Sequence, residues 1–242
     1  MIEITIPVLD EEASIEMQVR KARAYIDEHL SEFSPIWLVI ADNGSRDQTS
    51  AIAQRLQSEL ENVRLIQLKE RGVGRALKAS WQSSSAEIVG YMDLDLATDL
   101  RHLRPALEAL WTDRADVVTG SRLAKGARVH GRKIIRSITS RVFNFIVRAM
   151  FSTKFSDGMC GFKFLKRDKL AHLMERGAVS DGWIFATEVL IVAEYTGLRV
   201  LDLPVEWTDD PSSKARIGKL AVEYVSALRA LRRKLQTQSV PA

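Results

Sequence analysis

The sequence predicts an α/β protein, a mostly parallel sheet with helices on both faces. Three observations carry that expectation. Short apolar runs alternate with longer segments whose apolar residues recur at three- and four-residue steps. Each pairing of a run with a helical segment takes roughly thirty residues, the length of a βαβ crossover. Polar clusters follow the runs where a strand would hand over to a helix. With 242 residues, 46% apolar and 27% charged, the chain can bury a sizeable core and is not globally disordered.

The elements follow in order. "IEITIPV" (2–8) reads as the first strand, followed by an amphipathic helix within 11–30. "IWLVIA" (36–41), "VRLIQL" (63–68) and "EIVGYM" (87–92) read as further strands, each leading into a helix: 45–60, 72–84 and 100–111. "ADVVTG" (115–120) is a fifth strand. The second half is less regular. "IIRSITSRVFNFIVRAMF" (134–151) reads as a long helix with an apolar face and three arginines, and "GFKFLKRDKLAHLM" (161–174) as a strand and a short helix. A helix over 183–197 closes at Gly197, and "LRVLDLPVEW" (198–207) alternates like a late strand. Residues 1–210 read as one domain. Residues 211–242 read as a basic amphipathic tail, either part of that domain or a membrane or oligomer contact.

Composition narrows the function. The single cysteine, Cys160, forbids an internal disulfide, fits a reducing compartment and reads as a small buried residue. Four scattered histidines argue against structural zinc. The acidic start "MIEITIPVLDEE" does not read as a signal peptide, and no apolar run is long enough to span a bilayer, so the chain is expected to be soluble or peripheral. The net charge of +4 hides an uneven distribution: Val117 to Ser156 holds nine basic residues and no acid. Such a block is either a solvated face or the footprint of an anionic partner. Trp37, Trp81 and Trp111 fall inside elements and are expected in the core.

In parallel α/β sheets, ligands bind beyond the carboxyl ends of the strands. Four unusual polar stretches fall there: "PVLDEE", "ADNGSRD", "KERGVGRA" and "DLDLATD". In extended chain Asp93 and Asp95 share one face, where like charges repel unless a divalent cation completes the pair. Mg²⁺ or Mn²⁺ held by two carboxylates and a substrate diphosphate fits that pattern, and a turn with a helix cap is the plainer alternative. Asn43-Gly44 and Ser45 read as turn and cap, which leaves Asp42 available to a nucleobase N–H. Gly72 and Gly74, with Arg71, Arg75 and Lys78, suit an approach to phosphates. Leu77 stands where a dinucleotide fingerprint needs its third glycine, which counts against a nicotinamide-dependent oxidoreductase. A nucleic-acid-binding module would need aromatics among exposed basic residues and leaves Asp42, Asp93 and Asp95 unexplained.

Together "IPVLDEE", "ADNGSRDQT", "RGVGRA", "DLDLAT", "TGSR", "DGMCGFK" and "GWIFATEVL" resemble family 2 glycosyltransferases of the GT-A fold. More narrowly, they resemble the polyprenyl-phosphate (dolichyl-phosphate) hexose synthases. The resemblance covers roughly residues 1 to 207. It implies inverting hexose transfer from a nucleotide sugar to a polyprenyl phosphate, with a divalent metal on Asp93 and Asp95. The lack of a His–Pro after the acidic pair favours UDP-glucose over GDP-mannose. Pro7, Leu9, Glu11 and Asp42 would line the nucleoside pocket, with Arg71 and Arg75 near the donor. Arg122, with Arg132 or Arg136, would meet the acceptor phosphate. Asp157, the "CGFK" segment, Trp183 and Glu188 would wall the sugar. Asp10 departs from the family's usual Asn, and Asn43 from its commoner second Asp.

A phosphate monoester acceptor is largely dianionic near neutrality and needs positioning more than a base. A saccharide hydroxyl, as in envelope polysaccharide synthesis, would need one, and Asp157 is then the choice. The expected setting is the inner membrane face, as a peripheral protein and a possible homo-oligomer, with helix 134–151 and the C-terminal helix as contacts. Ordinary amphipathic packing is the competing account of both helices.

Overall fold

The computed structural model of the protein describes residues 1–209 and 217–238. Strands β1 (Ile2–Val8), β2 (Ile36–Asp42), β3 (Val63–Gln67) and β4 (Ile88–Met92) alternate with helices α1 (Ile15–His29), α2 (Thr49–Glu59), α3 (Val73–Ser83) and α4 (Leu103–Trp111). After β5 (Val117–Ser121) come a short strand β6 (Arg128–His130) and the long helix α5 (Ile134–Phe151). Then β7 (Phe162–Lys166), α6 (Leu170–Arg176), α7 (Phe185–Tyr195), β8 (Val200–Pro204), β9 (Glu206–Thr208) and α8 (Ile217–Gln238) complete the order.

Seven strands form one sheet in the order β3-β2-β1-β4-β7-β5-β8, and β6 and β9 pair in parallel as a small second sheet. Every pairing in the large sheet is parallel except those of β7, which runs antiparallel between β4 and β5. That reversal brings the start of β7 to the carboxyl ends of β4 and β5, beside the acidic loop.

Alternation along the strands divides the core in two. Ile2, Ile4 and Ile6 of β1 and Ile88 and Met92 of β4 face one layer, packed against α1, α2 and α4. Val89 and Tyr91 face the other, where Leu77 and Trp81 of α3 meet Phe185 and Val189 of α7. Both layers are predominantly apolar, as a sheet covered on both faces requires, with Thr5 and Ser80 hydrogen-bonded to each other at 2.7 Å within the second. α8 joins the second layer through Tyr224, Leu228, Leu231 and Leu235, spaced to fall on one helical face. Its apolar stripe is therefore ordinary packing, and its basic residues Arg229, Arg232 and Arg233 project outward.

Two elements and one side chain differ from the sequence reading. "LRVLDLPVEW" divides into two strands, because β8 joins the large sheet and β9 leaves it to pair with β6. β6 itself was not expected, since its three residues are all exposed and carry no alternation. Trp111 lies at the exposed end of α4, edge-on to Phe33 at 6.1 Å, while Trp81 is fully buried and Trp37 half-buried.

At the opposite end of the sheet from the polar loops, Arg199 pairs with Asp116 at 2.8 Å and Asp113 at 2.8 Å. Hydrogen bonds from Arg199 hold the Asp116 carboxyl well below the usual range, and Arg199 with Lys166 brings Asp113 down to about 2. A depressed carboxyl adds stability above its unfolded pKa of about 3.9 and loses it as pH falls toward the folded value. The urea midpoint should therefore fall as pH drops below about 4. Asp116→Asn should start less stable and flatten that slope.

Candidate active site

The first two loops beyond the sheet interlock. The Asp10 amide donates to Ser45 Oγ at 3.0 Å, and Asp10 Oδ1 accepts the Arg46 amide at 2.8 Å. The Glu11 amide donates to Thr49 Oγ1 at 2.8 Å, and Glu12 accepts the Gln48 amide at 2.9 Å. Asp10 sits at φ 54°, a left-handed conformation that Asp and Asn tolerate, which explains why either residue serves there. Arg71 reaches back to Asp10 at 3.3 Å, joining the third loop to the first. Pro7, Leu9, Glu11, Asp42 and Arg71 thus gather over the ends of β1–β3. Asp42 is 2% exposed. Its carboxylate accepts from Ser45 N at 3.0 Å, from Ser45 Oγ at 2.6 Å and from Ser50 Oγ, so it builds the turn as well as ending the strand.

Arg75 is not part of this group. Its guanidinium pairs with Asp181 at 2.8 Å and with Glu70, and Lys78 meets Asp181 at 2.7 Å. The two glycines expected to approach phosphate admit another piece of chain instead. The Gly74 and Arg75 amides at the start of α3 donate to the carbonyls of Gly182 and Asp181, at 3.2 and 3.1 Å. A Cβ on Gly74 would collide with the Ser180 carbonyl and stand 2.6 Å from Phe185 Cβ. Gly74→Ala should cost about 1–3 kcal/mol of stability by overpacking, readable as a lowered urea midpoint. Glu188 anchors the same loop by accepting the Val179 and Ser180 amides at 3.0 and 2.9 Å. It is 2% exposed and supports that loop; Trp183 beside it is exposed.

The acidic loop leaves β4 with the Asp93 amide donating to the Gly161 carbonyl at 3.1 Å. Asp93 lies tight against Gly161, where any side chain would strike its carboxylate. Burial first, and the Asp95 carboxylate second, push the Asp93 carboxyl up to about 7. Its Oδ1 is buried without a hydrogen-bond partner. Asp95 is more exposed, and its Oδ1 accepts the Ala97 amide at 3.0 Å. A buried, unsatisfied carboxylate oxygen beside a second acid is costly unless a cation completes it. The pair therefore fits a divalent ion. Among the described residues no group of three or more His, Cys, Asp or Glu side chains stands ready for one. The remaining ligands would then be those of a bound diphosphate.

Arg122 follows β5, and the chain returns past it at Asp157. Arg122 Nε meets Asp157 Oδ2 at 2.7 Å and its Nη2 meets Oδ1 at 3.0 Å, a bidentate pair with both partners buried. Asp157 is fully buried and also accepts the amides of Arg122 and Met159, at 3.2 and 3.1 Å. Burial alone would raise its pKa, but the Arg122 guanidinium outweighs that and holds it below the usual range. Asp157 thus has neither the exposure nor the basicity of a general base. It fixes Arg122. Asn144 of α5, fully buried, supports the same turn by accepting the Gly158 amide at 2.8 Å.

The guanidiniums of Arg122 and Arg132 both lie over Trp207, 5.2 and 5.4 Å from its ring centroid. Burial, and then Arg122 nearby, draw the Arg132 pKa down to about 10, and its Nε is buried without a partner. Arg136 instead pairs with Asp209 at 2.9 Å. β9 carries Trp207 across the acidic loop, where Thr208 N donates to Ala97 O at 2.8 Å and Asp99 N to Glu206 O at 3.0 Å. Lys163 of β7 is 1% exposed, with Nζ donating to the Cys160 carbonyl at 2.5 Å. Burial lowers its pKa, and its charge acts on Asp93 and Asp157. Cys160 is fully buried, its thiol pushed up to about 11 by burial, and so it is inert.

Sequence reasoning missed Trp207, Asn144 and Asp181, and included Lys163 only as part of the "CGFK" wall. Asn144 had no signal, because the apolar face of its helix was the one expected to turn inward and it turns outward. Trp207 had none, because its contacts depend on β9 leaving the main sheet.

The family model described as glycosyl transferase family 2 matches residues 3–174. Glycosyltransferase AglD of Haloferax volcanii is 33% identical over 218 residues, 88% of this chain and 34% of that protein. Dolichyl-phosphate beta-glucosyltransferase of Homo sapiens is 27% identical over 223 residues, 87% of this chain and 68% of that protein. The chain thus spans about a third of the first relative's length and about two thirds of the second's. Among solved structures, glucosyl-3-phosphoglycerate synthase from Mycobacterium tuberculosis with Mn²⁺ and UDP-glucose superposes with a TM-score of 0.67 at 17% identity, covering 100% of this chain and 80% of that one. That likeness confirms the GT-A fold. By the family match and its relatives, the chain belongs to glycosyl transferase family 2 and is a glycosyltransferase.

Proposed function

We propose that the protein transfers glucose from UDP-glucose to a polyprenyl phosphate with inversion, using a divalent cation. The observation that carries this reading is the meeting of two opposite sites. The unsatisfied carboxylate of Asp93 lies within reach of the charge of Arg122, which shares the face of Trp207 with Arg132. Relatives named as dolichyl-phosphate glucosyltransferases favour the lipid phosphate and the glucose, and the solved structure with Mn²⁺ and UDP-glucose favours the donor and the cation.

In this reading Pro7, Leu9, Glu11 and Asp42 seat the nucleoside, and Arg71 lies near the donor. Asp93 and Asp95 would hold Mg²⁺ or Mn²⁺, which offsets charge gathering on the leaving diphosphate. Arg122, fixed by Asp157, and Arg132 hold the acceptor phosphate in line with the anomeric carbon. An acceptor oxygen forms its bond to that carbon as the bond to the UDP oxygen breaks, and the electron pair leaves with UDP. The dianionic phosphate needs no proton removed, which suits a site whose buried Asp157 is already committed to Arg122. The same commitment disfavours a hydroxyl acceptor, which needs a free base.

Thermal shift tests the donor side. UDP with Mn²⁺ at about 100 times its Kd should stabilise the protein by about 2.7 kcal/mol. GDP with Mn²⁺, and UDP with a chelator, should shift it far less. Equal shifts with UDP and GDP would remove the donor assignment.

A further inference from the structure

α5 is turned the opposite way from an ordinary surface helix. Its inner face carries Ser140, Asn144 and Val147, all buried, while Ile134, Ile138, Val142 and Phe145 point outward. Ile134 is 79% and Phe145 67% exposed. At about 100° per residue these outward residues, with Ile135 and Ile146, fall within an arc of about 120°. Arg141 and Arg148, both exposed, border that arc on one side. A continuous apolar face on the solvent side of a helix marks a surface that something covers.

Beside the carboxyl end of α5 lies a groove of about 380 Å³ between Met150 and the α8 residues Arg229, Arg232, Arg233 and Gln236. Among the described residues none of these three arginines has an ion-pair partner. All three are exposed on the flank of α8 outside its packed stripe, so packing in the core does not account for them. An apolar helix face, a basic border and an adjoining unpaired arginine groove together have the chemistry of an anionic lipid surface: acyl chains for the first, headgroup phosphates for the other two.

We infer that α5 and α8 form a docking surface for an anionic phospholipid bilayer, with α5 lying in the interface and the Arg229–Arg232–Arg233 groove taking a lipid headgroup phosphate. The inference deepens the reading of the protein as a transferase with a membrane-borne acceptor and rests on it. Asn144 then has a second consequence. It joins the inner face of the docked helix to the Asp157 turn that fixes Arg122.

Co-sedimentation with vesicles free of polyprenyl phosphate tests the surface apart from the reaction. The protein should bind phosphatidylcholine vesicles containing phosphatidylglycerol at least about tenfold more strongly than phosphatidylcholine alone, and salt should weaken the binding. Arg232→Gln and Arg233→Gln should each weaken it about fivefold. Phe145→Ser, on an exposed position that leaves the fold intact, should weaken it about tenfold. Transfer to a short, water-soluble polyprenyl phosphate should be unchanged in all three variants. Equal binding to both vesicle types, or none to either, overturns the inference. So does sedimentation equilibrium showing a dimer that Phe145→Ser dissociates, because the face would then belong to a second copy. Vesicle binding without any transfer would leave the docking surface standing and remove the acceptor instead.

Discussion

Asp93→Asn should lose at least about three orders of magnitude in kcat while melting at the same temperature as the parent, or above it, in the absence of metal. The two halves of that result have one cause. The half-buried Asp93 packs against Gly161 next to Asp95, with one carboxylate oxygen buried and unsatisfied, so it is poorly placed for stability alone. An amide of the same shape removes the like-charge repulsion and with it the anionic ligand. Asp95→Ala should lose activity similarly with little change in melting, since Asp95 is exposed. A variant of Asp93 that keeps its activity, or that loses it by unfolding, would mean that the acid is structural.

Asp157→Ala should be the most destabilising single change in the site, by about 3–5 kcal/mol, because it leaves the buried Arg122 guanidinium without its partner. Urea denaturation reads the loss directly. Arg122→Lys separates positioning from charge. Lysine keeps the charge but cannot reproduce the two-point contact with Asp157. It should raise the acceptor KM more than the donor KM and cost less stability than Asp157→Ala. If Asp157 were instead a catalytic base, Asp157→Asn would abolish kcat without touching the acceptor KM.

The strand–helix alternation of the first half was legible because β1, β2 and β4 are buried on both faces and each helix on one, so composition and period agree. The acidic pair was legible for the same reason: two charges ending a core strand have no packing purpose. The arginines were harder. Arg71, Arg75, Arg122, Arg132 and Arg136 all lie in polar stretches, but what each faces depends on distant chain. Asp181 takes Arg75 through a loop more than a hundred residues away, and Asp209 takes Arg136. The glycines of "RGVGRA" resembled a phosphate loop because the demand is the same, close backbone approach, while the partner here is the 180–182 carbonyls. β7 entering the sheet antiparallel could not be read locally either, yet it sets Gly161 and Lys163 beside Asp93.

Product analysis shows whether glucose passes from UDP to a lipid phosphate at a site built by Asp93, Asp95 and Arg122. The protein is incubated with Mn²⁺, a short polyprenyl phosphate and either UDP-glucose or GDP-mannose, and the lipid fraction is weighed by mass spectrometry, with Asp95→Ala alongside. Lipid-phosphate-hexose should form with UDP-glucose only, and none with the variant. Product from GDP-mannose alone, product that survives Asp95→Ala, or no lipid product while UDP still binds would contradict the proposed transfer.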